Sequence, residues 1–129
     1  MKKIIFLSVL GLFIAFSANA GTCNSGSIIT AKNGSKYCIS TSFINWWSAF
    51  SWCESQGRTL ADFNTLCPTT SGSVCPNMAG VSDGNKFAWT STVDASNNAI
   101  GIYLSSGTFA ASTSYYGTDP NAGYIAICK

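Results

Sequence analysis

The chain has 129 residues, of which 47% are hydrophobic and 9% are charged, and its formal net charge is +2. This length supports one domain with a modest core, and so weak a charge offers no basic patch for nucleic acid or an anionic membrane. The sequence contains no histidine, which removes every nucleophilic site of the Ser–His or Cys–His type. We therefore do not expect an enzyme.

The first twenty residues have the pattern of a secretory signal peptide. Lys2 and Lys3 form a basic start, residues 4–16 are apolar, and small side chains precede a cleavage point after Ala20. As a helix, this run would rise about 20 Å, which is less than the bilayer core of about 30 Å. We expect a bacterial exported domain over residues 21–129 that has no membrane span and is periplasmic, bound to the cell surface or secreted.

Loss of the leader also changes the charge. Without Lys2 and Lys3, the seven basic residues become five, equal to the five acidic ones, so the exported chain is close to neutral. Lipidation at Cys23 is an alternative use of the leader, but the preceding Ala-Gly-Thr fits a lipoprotein signal poorly.

The segment around residue 50 has the period of a helix. One apolar face is spaced i, i+3, i+4, i+7 and consists of Trp46, Ala49, Phe50 and Cys53. Asn45 or Ser42 can cap the first N–H groups, and Gly57 can take the left-handed C′ position. Because Trp47 and Trp52 flank this face, we expect the helix to be covered on more than one side.

The rest of the chain predicts a short helix, a loop and several strands. The short helix covers residues 62–66, with Asp62 near its start, and residues 67–84 form a loop with two prolines and three glycines. Strands are predicted at residues 36–40, 87–92, 99–105, 108–113 and 123–128. Helices followed by a mostly antiparallel sheet indicate an α+β fold.

The strand at residues 99–105 alternates in a way that distinguishes two faces. The predicted inner face consists of Ile100, Ile102 and Leu104, and the predicted outer face of Ala99, Gly101 and Tyr103. The Ser-Ser-Gly that follows is a tight hairpin signal.

All six cysteines lie behind the leader, which in a small exported domain predicts three disulfides. A metal site is the weaker alternative, because the chain has neither a Cys-x-x-Cys motif nor a histidine. A catalytic thiol would leave an odd cysteine without a partner. Spacing alone leaves the pairing open.

Two motifs carry a resemblance to a known family. Residues 46–61, with the pattern Trp-x-x-Ala-x-x-x-Cys-x-x-x-Gly-x-x-Leu-Ala, resemble the first helix of C-type lectin-like domains, and residues 124–129 resemble their last strand. Cys23 and Cys38, on either side of a short hairpin, resemble the extra bridge of the long form. Residues 89–92 (Trp-Thr-Ser-Thr), followed by Asn98-Ala99 and Ser105-Ser106-Gly107, resemble small exported bacterial domains of the broader lectin-like fold, which also includes the formylglycine-generating enzymes.

The resemblance implies a C-type lectin-like fold with two helices and a mostly antiparallel, twisted sheet stapled by disulfides. It also implies the bridges Cys53–Cys128 and Cys23–Cys38. The two cysteines that remain, Cys67 and Cys75, are eight residues apart in the long loop and are left to pair with each other.

The chain departs from the sugar-binding members of that family at their calcium ligands. Neither Glu-Pro-Asn, Gln-Pro-Asp nor Trp-Asn-Asp occurs, and residues 119–121 (Asp-Pro-Asn) resemble the first tripeptide only in the wrong part of the pattern. Calcium takes six to eight oxygen ligands, often several carboxylates. The acidic residues of the exported chain are scattered at Glu54, Asp62, Asp83, Asp94 and Asp119. We expect no metal and no cofactor.

The resemblance leaves two functions open. The first is a binding module for an unidentified protein or glycan, whose candidate ligand-binding residues are Tyr103, Tyr115, Tyr116, Asn97, Asn98 and Asn121. Tyrosine and asparagine provide large contacts and adaptable hydrogen bonds at low entropic cost, although Tyr115 and Tyr116 can equally well serve to cover the sheet. The second is a structural component of the envelope or of a surface appendage, with no small ligand.

Calcium is expected to leave the stability unchanged. A ligand at a hundred times its dissociation constant would stabilise the fold by about 2.7 kcal/mol. Thermal unfolding in millimolar calcium and in a chelator should therefore give one melting temperature, and a reproducible rise with calcium would contradict this expectation.

Overall fold

The computed structural model describes residues 23–82, 86–112 and 124–129. They form an α+β arrangement of two helices, one 3₁₀ turn and a six-stranded sheet. The helices are α1 (Trp46–Ser55) and α2 (Phe63–Leu66), and the 3₁₀ turn is Pro76–Met78. The strands are β1 (Ser27–Thr30), β2 (Lys36–Ile39), β3 (Phe87–Val93), β4 (Ala99–Tyr103), β5 (Phe109–Ser112) and β6 (Tyr124–Cys128).

The sheet has the strand order β1-β2-β6-β3-β4-β5. Neighbouring strands are antiparallel except β3 and β6, which run parallel with Phe87 opposite Tyr124. The sheet is therefore mixed, and mostly antiparallel as predicted. The last strand of the chain lies in its interior. None of the helices in the described ranges is long and apolar enough to cross a membrane.

Both faces of the sheet are buried at its central strands. Side chains alternate along the strands, which gives an aromatic face of Phe87, Trp89, Tyr103 and Tyr124 and an aliphatic face of Ala88, Ile102, Leu104, Ile125 and Ile127. The prediction that this face of β4 points outward is wrong, because Ala99 and Gly101 are buried there. Helix α1 covers that side.

Helix α1 is capped at both ends. The Asn45 Oδ1 accepts the Ser48 N–H at 2.7 Å, so Asn45 rather than Ser42 is the N-cap. Gly57 takes a φ of +71° at C′, and the Gly57 and Arg58 N–H groups bond to the carbonyls of Glu54 and Cys53 at 2.9 and 3.0 Å. These are the two bonds of a Schellman motif, which ends the helix where the sequence predicts.

The six cysteines form three disulfides: Cys23–Cys38, Cys53–Cys128 and Cys67–Cys75. They are the pairs expected above. The Cys53–Cys128 bridge joins α1 to β6 across 75 residues, with its Cα atoms 5.6 Å apart. In the chain-entropy model, closing a loop of this size stabilises the fold by about 4 kcal/mol.

The aliphatic face is covered by α2 and the long loop. Leu66 and Met78 are fully buried against it, and the loop contains a 3₁₀ turn that the sequence did not indicate. The buried Asn77 fixes this loop, since its Nδ2–H donates to the Leu66 carbonyl at 2.7 Å and its Oδ1 accepts the Asn33 N–H at 2.9 Å. One side chain thereby links the loop to α2 and to the β1–β2 hairpin.

Asp62 is the N-cap of α2. Its carboxylate accepts the Thr65 N–H at 3.1 Å, and the Lys129 Nζ lies 2.8 Å from Oδ1. The ion pair with Lys129 and the hydrogen bonds from Thr65 hold the pKa of the Asp62 carboxyl well below its ordinary value. Both side chains are more than a third exposed, so the pair contributes little to stability.

Gly101 is required by the aromatic face. A Cβ built at this position would collide with the ring of Phe87, which packs edge-on against Trp89, Tyr103 and Tyr124 at centroid distances of 5.5, 4.9 and 5.1 Å. With neighbours on three sides, the Phe87 ring has no room to give way.

Gly101→Ala should therefore destabilise the protein by about 1–3 kcal/mol, the usual cost of overpacking. Urea unfolding of Gly101→Ala, Phe87→Leu and the double variant measures the coupling between the two sites. In the Phe87→Leu background, where the ring is absent, the alanine should cost less than about 1 kcal/mol. An equal cost in both backgrounds would show that the Phe87 ring is not the obstacle.

Candidate functional site

The structure describes three of the six predicted ligand-binding residues. Tyr103 points away from Ile102, as the alternation predicts, but it is half-buried because its ring packs against Phe87 in the aromatic face beneath α1. Asn97 is exposed, and Asn98 is half-buried. Tyr115, Tyr116 and Asn121 lie outside the described residues.

The two asparagines belong to the turn between β3 and β4. Asn97 has a φ of +63°, and the Asn98 N–H donates to the Asp94 Oδ1 at 2.9 Å. The hydrogen bonds from Asn98, with a further one from Ser96, lower the pKa of the Asp94 carboxyl. Asn98 is therefore engaged in shaping its own turn, which leaves Asn97 as the more accessible of the two.

Tyr103 and this turn lie at opposite ends of β4. Asn98 comes just before the first residue of the strand, and Tyr103 is its last. At a rise of about 3.4 Å per residue, the two positions are roughly 17 Å apart. The structure does not bring Tyr103 and Asn98 together.

A different pair of aromatic residues is exposed. Trp47 is 57% exposed and Phe43 is 48% exposed, the two largest values among the exposed large hydrophobic residues described. Phe43 precedes the N-cap, and Trp47 is the second residue of α1. The expectation that α1 is covered on more than one side is thus wrong at Trp47.

The adjacent tryptophan is an internal anchor. Trp46 is 8% exposed, and its indole N–H donates to the Thr90 carbonyl at 2.8 Å. Its ring meets the rings of Trp47 and Phe50 edge-on at 4.8 and 4.9 Å. Because successive residues on a helix point about 100° apart, burial of Trp46 directs Trp47 towards solvent.

The backbone below Phe43 is also fixed. The Trp89 indole N–H donates to the Ile44 carbonyl at 2.9 Å, and the Ile44 N–H donates to the Tyr124 carbonyl at 2.9 Å. The segment that leads into α1 is therefore bonded to the side chain of one strand and to the backbone of another. The backbone next to Phe43 is therefore held in one position.

The exposed side of α1 continues beyond Trp47. Residues i, i+4 and i+7 share a helix face, and Trp47, Ser51 and Glu54 have this spacing and are all exposed. We call these three residues the α1 stripe, and Phe43 is exposed in the non-helical segment that leads into α1. Glu54 is its single charged residue, and the Glu54 carboxylate forms no ion pair with any other described residue.

The Trp-Thr-Ser-Thr motif of residues 89–92 has a structural role. The Thr90 hydroxyl donates to the Ile100 carbonyl at 2.7 Å, the Ser91 N–H donates to the Ala61 carbonyl at 2.8 Å, and the Thr92 hydroxyl accepts the Phe63 N–H at 2.9 Å. The register between β3 and β4 shifts over these residues. The motif thus joins β3 to β4 and to the segment that leads into α2.

No group of three or more metal-ligating side chains occurs within the described ranges. Comparison with known proteins gives no match to a family model, to a curated protein or to a solved structure.

The two adjacent tryptophans should respond oppositely to truncation. Trp46→Ala removes a buried ring and its hydrogen bond and should cost about 3–5 kcal/mol, whereas Trp47→Ala should cost no more than about 1 kcal/mol. Equilibrium urea unfolding of both variants tests this difference. Comparable losses would show that Trp47 is part of the core rather than of a surface.

Proposed function

We propose that the chain is an exported binding module of C-type lectin-like fold that recognises a protein or a glycan without calcium. The observation that carries this proposal is the exposure of Trp47 and Phe43 on a backbone held by hydrogen bonds. Rigid aromatic side chains lose little entropy on binding and often dominate interface energies. An exposed tryptophan on a fixed helix has these properties.

Two further features support the fold and the location. Two disulfides have the arrangement that the resemblance implies. Cys53–Cys128 ties α1 to the last strand, and Cys23–Cys38 bridges the N-terminal segment. Disulfides form and persist in oxidising compartments. Three bridges in a small domain therefore favour the periplasm, the cell surface or the medium.

The positions of the acidic residues support independence from calcium. Asp62 is engaged with Thr65 and Lys129, and Asp94 with Asn98 and Ser96. Glu54 stands apart on α1. Of the three acidic residues that the structure describes, two are thus engaged in local structure and the third lies on a different element, whereas calcium takes six to eight oxygen ligands.

The predicted tyrosine and asparagine surface remains part of this proposal as a second contact region. Tyr103 is half-buried at one end of β4, and Asn97 is exposed in the turn before its other end. Tyr115, Tyr116 and Asn121 complete that set in the sequence.

The alternative is a structural component that assembles through the edge of its sheet. Strand β1 is an edge strand without a charged residue or a proline, and Ile28 is exposed on it. Natural edge strands are commonly protected by charge or proline. An unprotected edge of only four residues favours weak assembly.

Binding can be tested by glycan-array screening and by pull-down from envelope extracts with the oxidised protein. Trp47→Ala and Phe43→Ala should each weaken a saturable interaction at least about tenfold. Ile28→Ser, a matched change at an exposed apolar residue on a different element, should leave it intact. If Ile28→Ser instead abolishes the interaction, or if only self-association appears in sedimentation, the structural alternative replaces the binding module.

A further inference from the structure

We propose that the Cys23–Cys38 bridge is a site of thiol–disulfide exchange, through which an external thiolate moves the covalent anchor of β6 from Cys53 to Cys38. The product has a Cys38–Cys128 bridge between β2 and β6, and Cys53 on α1 becomes a free thiol. The co-reactant is a dithiol reductant, which supplies the two electrons. This inference does not depend on what the α1 stripe binds.

Cys23 is the point at which the reductant enters. It is half-buried, whereas the five other cysteines are buried. Exchange requires access of the attacking thiolate to one of the two bonded sulfur atoms. Attack on the Cys23 Sγ breaks its bond to Cys38, so the electron pair leaves on the Cys38 Sγ. The buried member of the bridge therefore becomes the thiolate.

Cys38 lies directly opposite Cys128 in the sheet. The two residues are register partners in the antiparallel pair of β2 and β6, and such partners have Cα atoms about 4.5–5.5 Å apart and side chains on the same face. Disulfides need Cα atoms about 4.4–6.8 Å apart, and in both existing bridges, Cys23–Cys38 and Cys53–Cys128, this distance is 5.6 Å. The Cys38 thiolate therefore has a second sulfur, that of Cys128, within the range of a disulfide.

The exchange conserves atoms and electrons. The Cys38 thiolate attacks the Cys128 Sγ, the bond between them forms, and the Cys53–Cys128 bond breaks. The Cys53 sulfur leaves as a thiolate, which takes a proton from solvent. The second thiol of the reductant then releases Cys23 as a thiol and closes the disulfide of the reductant itself. In total, one disulfide of the protein is replaced by two thiols, at Cys23 and Cys53.

Helix α1 keeps other attachments after the transfer. Gln56, its C-cap residue, holds the segment that follows Cys23, since the Gln56 Oε1 accepts the Ser25 N–H at 3.0 Å and its Nε2–H donates to the Ser25 Oγ at 2.8 Å. The indole hydrogen bonds at the other end of α1 involve no cysteine. The new bridge also closes a longer loop than Cys53–Cys128 does, so chain entropy does not oppose it. The transfer thus converts a covalently held helix into one held by hydrogen bonds and packing.

Limited reduction followed by disulfide mapping tests this inference. The oxidised protein is treated with an equimolar amount of dithiothreitol, and free thiols are then blocked with a maleimide at mildly acidic pH. Cleavage after the aromatic residues between Cys38 and Cys53 is needed, because trypsin would leave both cysteines in one peptide. We expect maleimide labels on Cys23 and Cys53, no label on Cys128, and a peptide pair joined through Cys38–Cys128.

A variant without the entry bridge is the matched control. In Cys23→Ser/Cys38→Ser, the Cys53–Cys128 bridge has no neighbouring thiolate, so the labelling of Cys53 should be at least about tenfold slower than in the wild-type protein. The buried loop bridge, Cys67–Cys75, is an internal control that should stay intact in both proteins.

Three results would overturn the inference. Labels on Cys23 and Cys38 with the original bridge of α1 intact would show that the Cys38 thiolate does not reach Cys128. Equal rates of Cys53 labelling in the two proteins would show that the bridge of α1 is reduced directly. Labelling of the loop bridge ahead of Cys23, or no labelling of Cys23 at all, would show that Cys23 is not the entry point. The first and third results need only the wild-type protein, so they decide the question even where the variant does not fold.

Discussion

Two indole hydrogen bonds orient α1 on the sheet, and the candidate site depends on them. The Trp46 indole, on the helix, donates to the Thr90 carbonyl in β3, and the Trp89 indole, in β3, donates to the Ile44 carbonyl just before the helix. Both rings are buried. Because a buried N–H without a partner costs about 1–3 kcal/mol, the pair specifies one docking of the helix, and that docking turns Trp47 outward.

The far end of α1 is held by covalent bonds. Cys53 is joined to Cys128, whose neighbour across β2 and β6 is Cys38, itself bridged to Cys23. The N-terminal end thus depends on hydrogen bonds from tryptophans and the C-terminal end on disulfides. The α1 stripe lies between these two attachments, which explains how a helix of ten residues presents a defined surface.

Local patterns predicted the elements well, but they could not predict how the elements pair. The spacing of apolar residues, Asn45 and Gly57 located α1 and its caps, since those signals act within a few residues. The parallel pairing of β3 with β6 depends on contacts between residues that are far apart in sequence, so no local pattern indicates it. The small residues Ala99 and Gly101 resembled a solvent side, yet they are small because the aromatic face packs above them, with the Phe87 ring directly over Gly101.

The same limit applies to the site. Helical spacing identified the buried face of α1, but Trp47 borders that face, and only the docking of Trp46 decides that Trp47 is exposed. The residues that hold the fold and the residues of the proposed binding surface are consequently different residues of one helix. Trp46, Ala49 and Cys53 face the sheet, whereas Trp47, Ser51 and Glu54 face outward. Since exposed substitutions rarely change stability by more than about 0.5 kcal/mol, the outward positions can vary in sequence while the inward positions keep the helix in place.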